Sequence, residues 1–256
     1  LRAALRPALK GAATTLRTLV GAQALDHAIG RVSVPHLTKA KLKRSFAQQG
    51  EDLILDRILT RVLGRDVREP GVYVDVGAFD AVDHSVTYLL YRRGWSGVVF
   101  DPSTRTQRSF RRRRPRDTFV NAVVGAEDGV EVDFFIPAAS TGDQSLVSTK
   151  YPDDAGGFDK VTHRQVNLNH ALSRAGVEKI DVLNVDVEGA ELEILETLDF
   201  DRFRPSVIAV EIHGNDLARC LESPEARLIL KHGYQAVGSA VITQFFVRRD
   251  EVASDN

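Results

Sequence analysis

Gly71-Val72-Tyr73-Val74-Asp75-Val76-Gly77 is an apolar, β-branched run that ends in a carboxylate and a glycine. A run this short, closed by glycine, predicts a buried strand. The same signature recurs outward from it. Val98-Val99-Phe100-Asp101 is a second strand, preceded by a helical stretch that ends over Leu89 to Arg93 and is stopped by Gly94. Thr118 to Val124 is a third strand, with Val130 to Ile136 as a short extension. Ile180 to Asp186 is a fourth, followed by a helix over Ala190 to Leu198 with apolar Leu192, Leu195 and Leu198. Val207 to Ile212 is a fifth. Pro224 to His232 is helical up to Gly233, and Tyr234–Val237 and Ile242–Val247 form a last antiparallel pair around Gly238-Ser239-Ala240. Strands alternating with helices define an α/β chain with a mostly parallel sheet covered on both faces. Residues 137–165, rich in Gly, Ser, Asp and Pro, are too long for an ordinary connection and predict a functional loop.

Composition narrows the function classes. The 256 residues are 43% apolar, enough for a real core and too many for a disordered chain. A single cysteine, Cys220, excludes a disulfide scaffold and any multi-cysteine metal site. No apolar run approaches the roughly 18–20 residues of a spanning helix. The net charge of −1 sums unlike parts. Residues 1–45 carry nine Lys/Arg and one acid, Asp26, so the remainder holds 25 basic against 34 acidic residues. The expected organisation is a basic helical arm over 1–45, an α/β domain over 46–250 and a polar tail over 251–256. The arm, with Leu1, Leu5, Leu9, Leu16, Leu19 and Val20 at helical spacings, reads as a helix packing on the domain or on a second copy. A membrane-surface helix and a lid over a pocket are its alternatives. Arg108, Arg111–Arg114 and Arg116 read as a solvated helix face ended by Pro115. With only Phe110 interleaved there is no stacking platform, and no nucleic-acid partner is expected.

In open α/β sheets, ligands bind outside the carboxyl ends of the strands. Here those ends carry Asp75, Gly77 and Asp80, then Asp101 and Ser103, then Asn121, then Asp186 and Glu188, then Glu211 and His213. Together they outline one acidic crevice. The first turn, Asp75-Val76-Gly77-Ala78-Phe79-Asp80, lacks the G-x-G-x-x-G phosphate fingerprint. A carboxylate with one glycine suits a ligand bearing an amino group and no phosphate. Asp101, twenty-six residues after Asp75, stands where an acid accepts hydrogen bonds from ribose hydroxyls. An amino group plus ribose points to S-adenosylmethionine.

At this point the chain resembles the FkbM-type S-adenosylmethionine-dependent methyltransferases, from about Ser45 to Val247. The matching pieces are Gln48-Gln49-Gly50-Glu51-Asp52, Val74 to Asp80, Ser85-Val86-Thr87, Gly94-Trp95-Ser96-Gly97, Phe100-Asp101-Pro102, Asp181 to Glu191, and Val210-Glu211. Asp186-Val187-Glu188-Gly189-Ala190-Glu191 is the most specific. The chain departs from the family's common pattern at Ala81, Val86, Asp101 and Asn184. The resemblance implies a class I methyltransferase (Rossmann-like) fold, a seven-stranded sheet whose last strand is antiparallel. It implies that Asp75 and Gly77 belong to the methionine-side loop and Asp101 to the ribose contact, with Gln48, Ser85 and Thr87 also lining the cofactor pocket; Ala78 and Ser103, beside these turns, join the cofactor-binding candidates.

Methyl transfer needs acceptor, carbon and sulfur in line, and a base for a neutral acceptor. Asp186, Glu188 and His213 are the candidate bases. A divalent ion such as magnesium on Asp186, Glu211 and His213 would serve instead by acidifying the hydroxyl. Because the family mainly O-methylates, a hydroxyl acceptor is expected. Ser140, Asp143, Gln144, Ser145, Tyr151 and His163 resemble a sugar-binding surface and favour a mono- or oligosaccharide. A polyketide or other natural-product hydroxyl, an RNA methyltransferase and a non-catalytic scaffold are the alternatives. A cytoplasmic protein and a homodimer built through the arm complete the expectations.

Overall fold

The computed structural model describes residues 43–137, 158–214 and 216–253. The arm's first 42 residues and Ser140, Asp143, Gln144, Ser145 and Tyr151 lie outside them. The Gly71–Gly77 run forms strand β1 (Val72–Val76), followed by helix α2 (Tyr88–Arg92), β2 (Ser96–Phe100), α3 (Thr104–Arg113) and β3 (Thr118–Val120). Helix α1 (Glu51–Arg57) precedes them and runs into a π-helical turn over Ile58–Val62. Next come β4 (Val123–Gly125), β5 (Glu131–Pro137), β6 (Phe158–Asn167) and α4 (Leu168–Arg174). The second half comprises β7 (Val182–Val185), α5 (Glu191–Thr197), α6 (Phe200–Phe203), β8 (Val207–Glu211), α7 (Leu217–Leu221), α8 (Pro224–Lys231), β9 (Tyr234–Ala240) and β10 (Thr243–Arg248).

Seven strands form one sheet in the order β3-β2-β1-β7-β8-β10-β9. The pairs from β3 to β8 are all parallel, while β10 runs antiparallel to both β8 and β9. The seven-stranded, mostly parallel sheet with an antiparallel last strand is therefore present. Sequence order reverses between β1 and β7, so the crevice at the carboxyl edge opens there. Each face carries its own core. Val74, Val76, Leu183, Val185, Ile208 and Val210 pack against Leu172, Ile194, Leu195 and Ile229 on one side. Tyr73, Val99, Val182, Ala209 and Phe245 pack against Leu55, Leu59, Leu90, Trp95 and Phe110 on the other. Buried on both faces, the central strands are continuous apolar runs, which is why they were legible. Among the described residues no helix is long and apolar enough to cross a membrane.

Four local expectations need correction. The third run divides, because Asn121 and Ala122 break the pairing. Thr118–Val120 stays in the main sheet, and Val123–Gly125 joins a second sheet of order β4-β6-β5. The carboxyl end of the expected 137–165 loop is strand β6, which pairs antiparallel with β5 and carries His163. The last hairpin turns at Val241 (φ 53°) and Ile242, not at Gly238-Ser239-Ala240, which continue β9. Finally, the arginine run is not one solvated face. Arg105, Arg108 and Arg111–Arg113 are exposed, but Arg114 is 1% exposed.

Candidate active site

The switch point opens into a cavity of about 310 Å³. It is within the size range of small-ligand sites. The end of each neighbouring strand delivers one acid to it: Asp75 from β1, Asp101 after β2, Asp186 after β7 and Glu211 from β8.

The β1 turn is built on a close approach. Gly77 has φ +88°, and a Cβ there would lie 1.7 Å from the Asp186 carbonyl oxygen. Only glycine lets the two turns pack this tightly. The Gly77 and Ala78 amides both donate to the Phe100 carbonyl, at 3.0 and 3.3 Å, which ties the turn to the end of β2. Asp75, 2% exposed, accepts from Asn184 Nδ2 at 2.9 Å and from Thr87 Oγ1 at 2.5 Å. Asn184 is its register partner on β7, so both face the same side of the sheet. Burial raises the Asp75 carboxyl above its ordinary value. The Arg114 charge and the Thr87 and Asn184 hydrogen bonds oppose that rise.

Asp101 is gripped at both oxygens. Ser103 N donates to Oδ1 at 2.7 Å and Phe79 N to Oδ2 at 3.1 Å. Burial pushes its carboxyl up to about 6. Gln48, Ala78 and Ser85 also line the cavity. Thr87 and Ser103 do not line it. Thr87 is fully buried and spends its hydroxyl on Asp75. The Ser103 Oγ caps α3 by accepting from Arg105 N and Thr106 N. Sequence spacing places residues near a strand end but does not set their χ1, so it could not separate wall from support. Phe79, Val86, Ala122, Val123 and Val124 supply the apolar wall.

Asp186, Glu188, Glu211 and His213 gather at the far side. His213 Nε2 lies 3.5 Å from Glu211 Oε1 and 3.9 Å from Glu188 Oε2. Glu188 holds φ +57°, sparsely populated for a side-chain-bearing residue. The following residues form its support, because Glu191 Oε1 accepts from Val187 N and Gly189 N, both at 3.0 Å. Glu191 thus pins the turn on either side of Glu188, and Glu188 lines the cavity. Burial, then its carboxyl partner Glu211, raises Asp186 well above the usual range; burial likewise raises Glu211. Glu211 is 5% exposed and its Oε2 finds no hydrogen-bond donor. Among the described residues, the ligand atoms of Glu188, Glu211 and His213 fall within 4.8 Å of one another, a spacing compatible with a metal. That set exchanges Asp186 for Glu188 relative to the set expected from sequence.

A doubly wound sheet with an acidic crevice at its switch point and no phosphate-binding glycine turn defines a cofactor-binding α/β enzyme domain. Residues 75–236 match the model of the methyltransferase FkbM domain, which spans more than half of the chain. The chain belongs to that family, whose cofactor is S-adenosylmethionine. Gln48 to Asp52, part of the expected resemblance, lie before the matched residues. A comparison with curated proteins returns no match. Among solved structures the chain is similar to monomeric WbdD at 13% identity (TM-score 0.41), covering 85% of this chain and 44% of that one. The chain thus spans less than half of that relative. It is also similar to a TehB-like S-adenosylmethionine-dependent methyltransferase from Corynebacterium glutamicum at 11% identity (TM-score 0.36; 84% and 94% covered). A third is the delta-N METTL16 methyltransferase domain at 10% identity (TM-score 0.41; 83% and 91% covered).

The residues present fit the implied cofactor. Buried Asp75 and Asp101 suit an ammonium group and ribose hydroxyls, and the apolar wall suits a flat heterocycle. Carboxyls raised by burial are what a cationic sulfonium ligand would relieve. Asp75, Gly77, Ala78, Gln48, Ser85 and Asp101 would hold the group, which when bound supplies an electrophilic methyl.

Proposed function

We propose that this chain is an S-adenosylmethionine-dependent O-methyltransferase acting on a hydroxyl of a saccharide. One observation carries the reading. A carboxyl pair, Asp186 with Glu211, faces the same cavity as Asp75 and Asp101 and is flanked by Glu188 and His213. A neutral hydroxyl must lose a proton as it attacks, and an ordinary aspartate is too weak a base to take it efficiently. A carboxyl made more basic by burial and by an acidic neighbour is better matched. Asp186 is the proposed base, His213 and Glu188 its partners in passing the proton to solvent. The exposed His213 side chain stands at the mouth. A saccharide offers several hydroxyls to such a polar rim, whereas a polyketide hydroxyl would need a larger apolar face. The proton acceptors are unneeded by an acceptor that is already an anion.

The spacing of Glu188, Glu211 and His213 supports a second reading, in which a divalent cation lowers the hydroxyl pKa. Two carboxylates and an imidazole suit such an ion. Activity that survives a chelator removes this second reading and leaves the base. The deciding experiment for the function is mass spectrometry across oligosaccharides and small hydroxylated acceptors, with cofactor supplied. A gain of one methyl on a sugar oxygen supports the proposal. Transfer to nitrogen, carbon or RNA overturns it.

A further inference from the structure

Arg114 has no part in the cavity wall, yet it is the most deeply buried arginine described, 1% exposed at the end of α3. Each of its nitrogens is engaged. Nε donates to Asp117 Oδ2 at 2.6 Å. One terminal nitrogen donates to Ser85 Oγ at 3.1 Å and the Ala81 carbonyl at 3.5 Å. The other donates to Tyr73 OH at 2.7 Å and Thr87 Oγ1 at 3.0 Å. These contacts match the five N–H donors of a guanidinium, a set that lysine cannot reproduce. The plane is packed between Phe110, Tyr73 and Tyr91, with ring centroids 4.6 to 5.2 Å from the guanidinium carbon. Asp117 is held in turn by Tyr73 OH and Gly97 N.

Two of the five contacts lead to the cavity. Ser85 lines it. Thr87 does not, but its hydroxyl receives from Arg114 and donates to Asp75 Oδ2, so one hydroxyl links the guanidinium to the wall carboxylate. A hydroxyl has one proton, and accepting from Arg114 commits that proton to Asp75. We propose that Arg114 is a positioning residue for cofactor binding: through Thr87 it fixes the rotamer and the hydrogen bonding of Asp75 from behind the pocket, and it holds Ser85 at the wall. The inference rests on the reading of Asp75 as a cofactor contact. Burial alone requires all five donors to be paired; what singles out this arginine is that one of its acceptors, the Thr87 hydroxyl, is itself committed to Asp75.

The test is calorimetric titration of the full chain with S-adenosylhomocysteine, alongside thermal denaturation. Thr87→Val keeps the shape and removes the link; it weakens binding about tenfold, as expected for a lost hydrogen bond to a charged group, while Thr87→Ser restores it. Arg114→Lys weakens binding at least as much. The double variant Thr87→Val/Arg114→Lys is no weaker than Arg114→Lys alone, because both break one chain. Parental affinity in Thr87→Val, or losses that multiply in the double variant, overturn the proposal. If Arg114→Lys does not fold, the Val and Ser variants of Thr87 decide by themselves. Asp75→Asn separates the two readings. A parent that binds, with Asp75→Asn binding equally well, overturns the role of Asp75 and with it this inference. A loss in Asp75→Asn without a loss in Thr87→Val overturns the relay alone.

Discussion

Gly77→Ala is the sharpest perturbation of the switch point. The backbone there has φ +88°, and a left-handed conformation costs a side-chain-bearing residue about 1–2 kcal/mol. The new methyl would sit 1.7 Å from the Asp186 carbonyl oxygen, and the obstacle is backbone, not a flexible side chain. The turns after β1 and β7 must part by about 1.5 Å or more to restore ordinary contact. That movement breaks the Asp186 N–H to Val76 carbonyl bond, 3.0 Å long, at a net cost of about 1 kcal/mol. Overpacking adds about 1–2 kcal/mol. The sum, about 3–5 kcal/mol, lowers Tm by about 10 °C in a domain of this size. Because the same movement displaces Asp75 and Asp186, cofactor affinity falls with it. Scanning fluorimetry with and without S-adenosylhomocysteine measures both. A Tm within about 2 °C of the parent and unchanged ligand stabilisation would refute the argument that this close approach positions the site.

Three further outcomes are expected. Asp186→Asn leaves cofactor affinity unchanged in calorimetry and lowers turnover about 100-fold or more; equal turnover removes it as base. His213→Ala gives a smaller loss of turnover, and an unaltered pH–rate profile excludes it from the proton path. Asp101 titrates near 6 when folded against an ordinary 3.8. Folding therefore favours its protonated form, and its contribution to stability, present below about pH 4, is lost as pH rises through 6. Asp101→Asn flattens that slope, by at most about 3 kcal/mol between pH 4 and 7. Denaturant midpoints across this range that track the parent contradict the assignment.

Much of the site was legible because strand ends are local features. Asp75, Asp101, Asp186 and Glu211 each close a short apolar run, and parallel topology alone sends those ends to one edge. Glu191 was hidden by its neighbour. Glu188 and Glu191 both stand near a helix start, and only the left-handed backbone at Glu188 and the two amides aimed at Glu191 separate support from site. Ser103 follows a strand end and Thr87 precedes helix α2, but their hydroxyls are committed to nearer partners.

The sequence by itself determined the alternation of buried strands and helices, the acid at each carboxyl end, the glycine turn without a phosphate fingerprint, and the family. These follow from periodicity and from residues within a few positions of one another. Tertiary structure alone decided which residues share a wall. Arg114 reads as one more cation in an exposed arginine run, yet it reaches Tyr73, Ser85 and Thr87, which lie 27 to 41 positions away. Whether a charge is solvated or buried depends on whether partners converge from distant segments to satisfy every donor. That convergence is a property of the packed sheet and its helices, and no local window of sequence contains it.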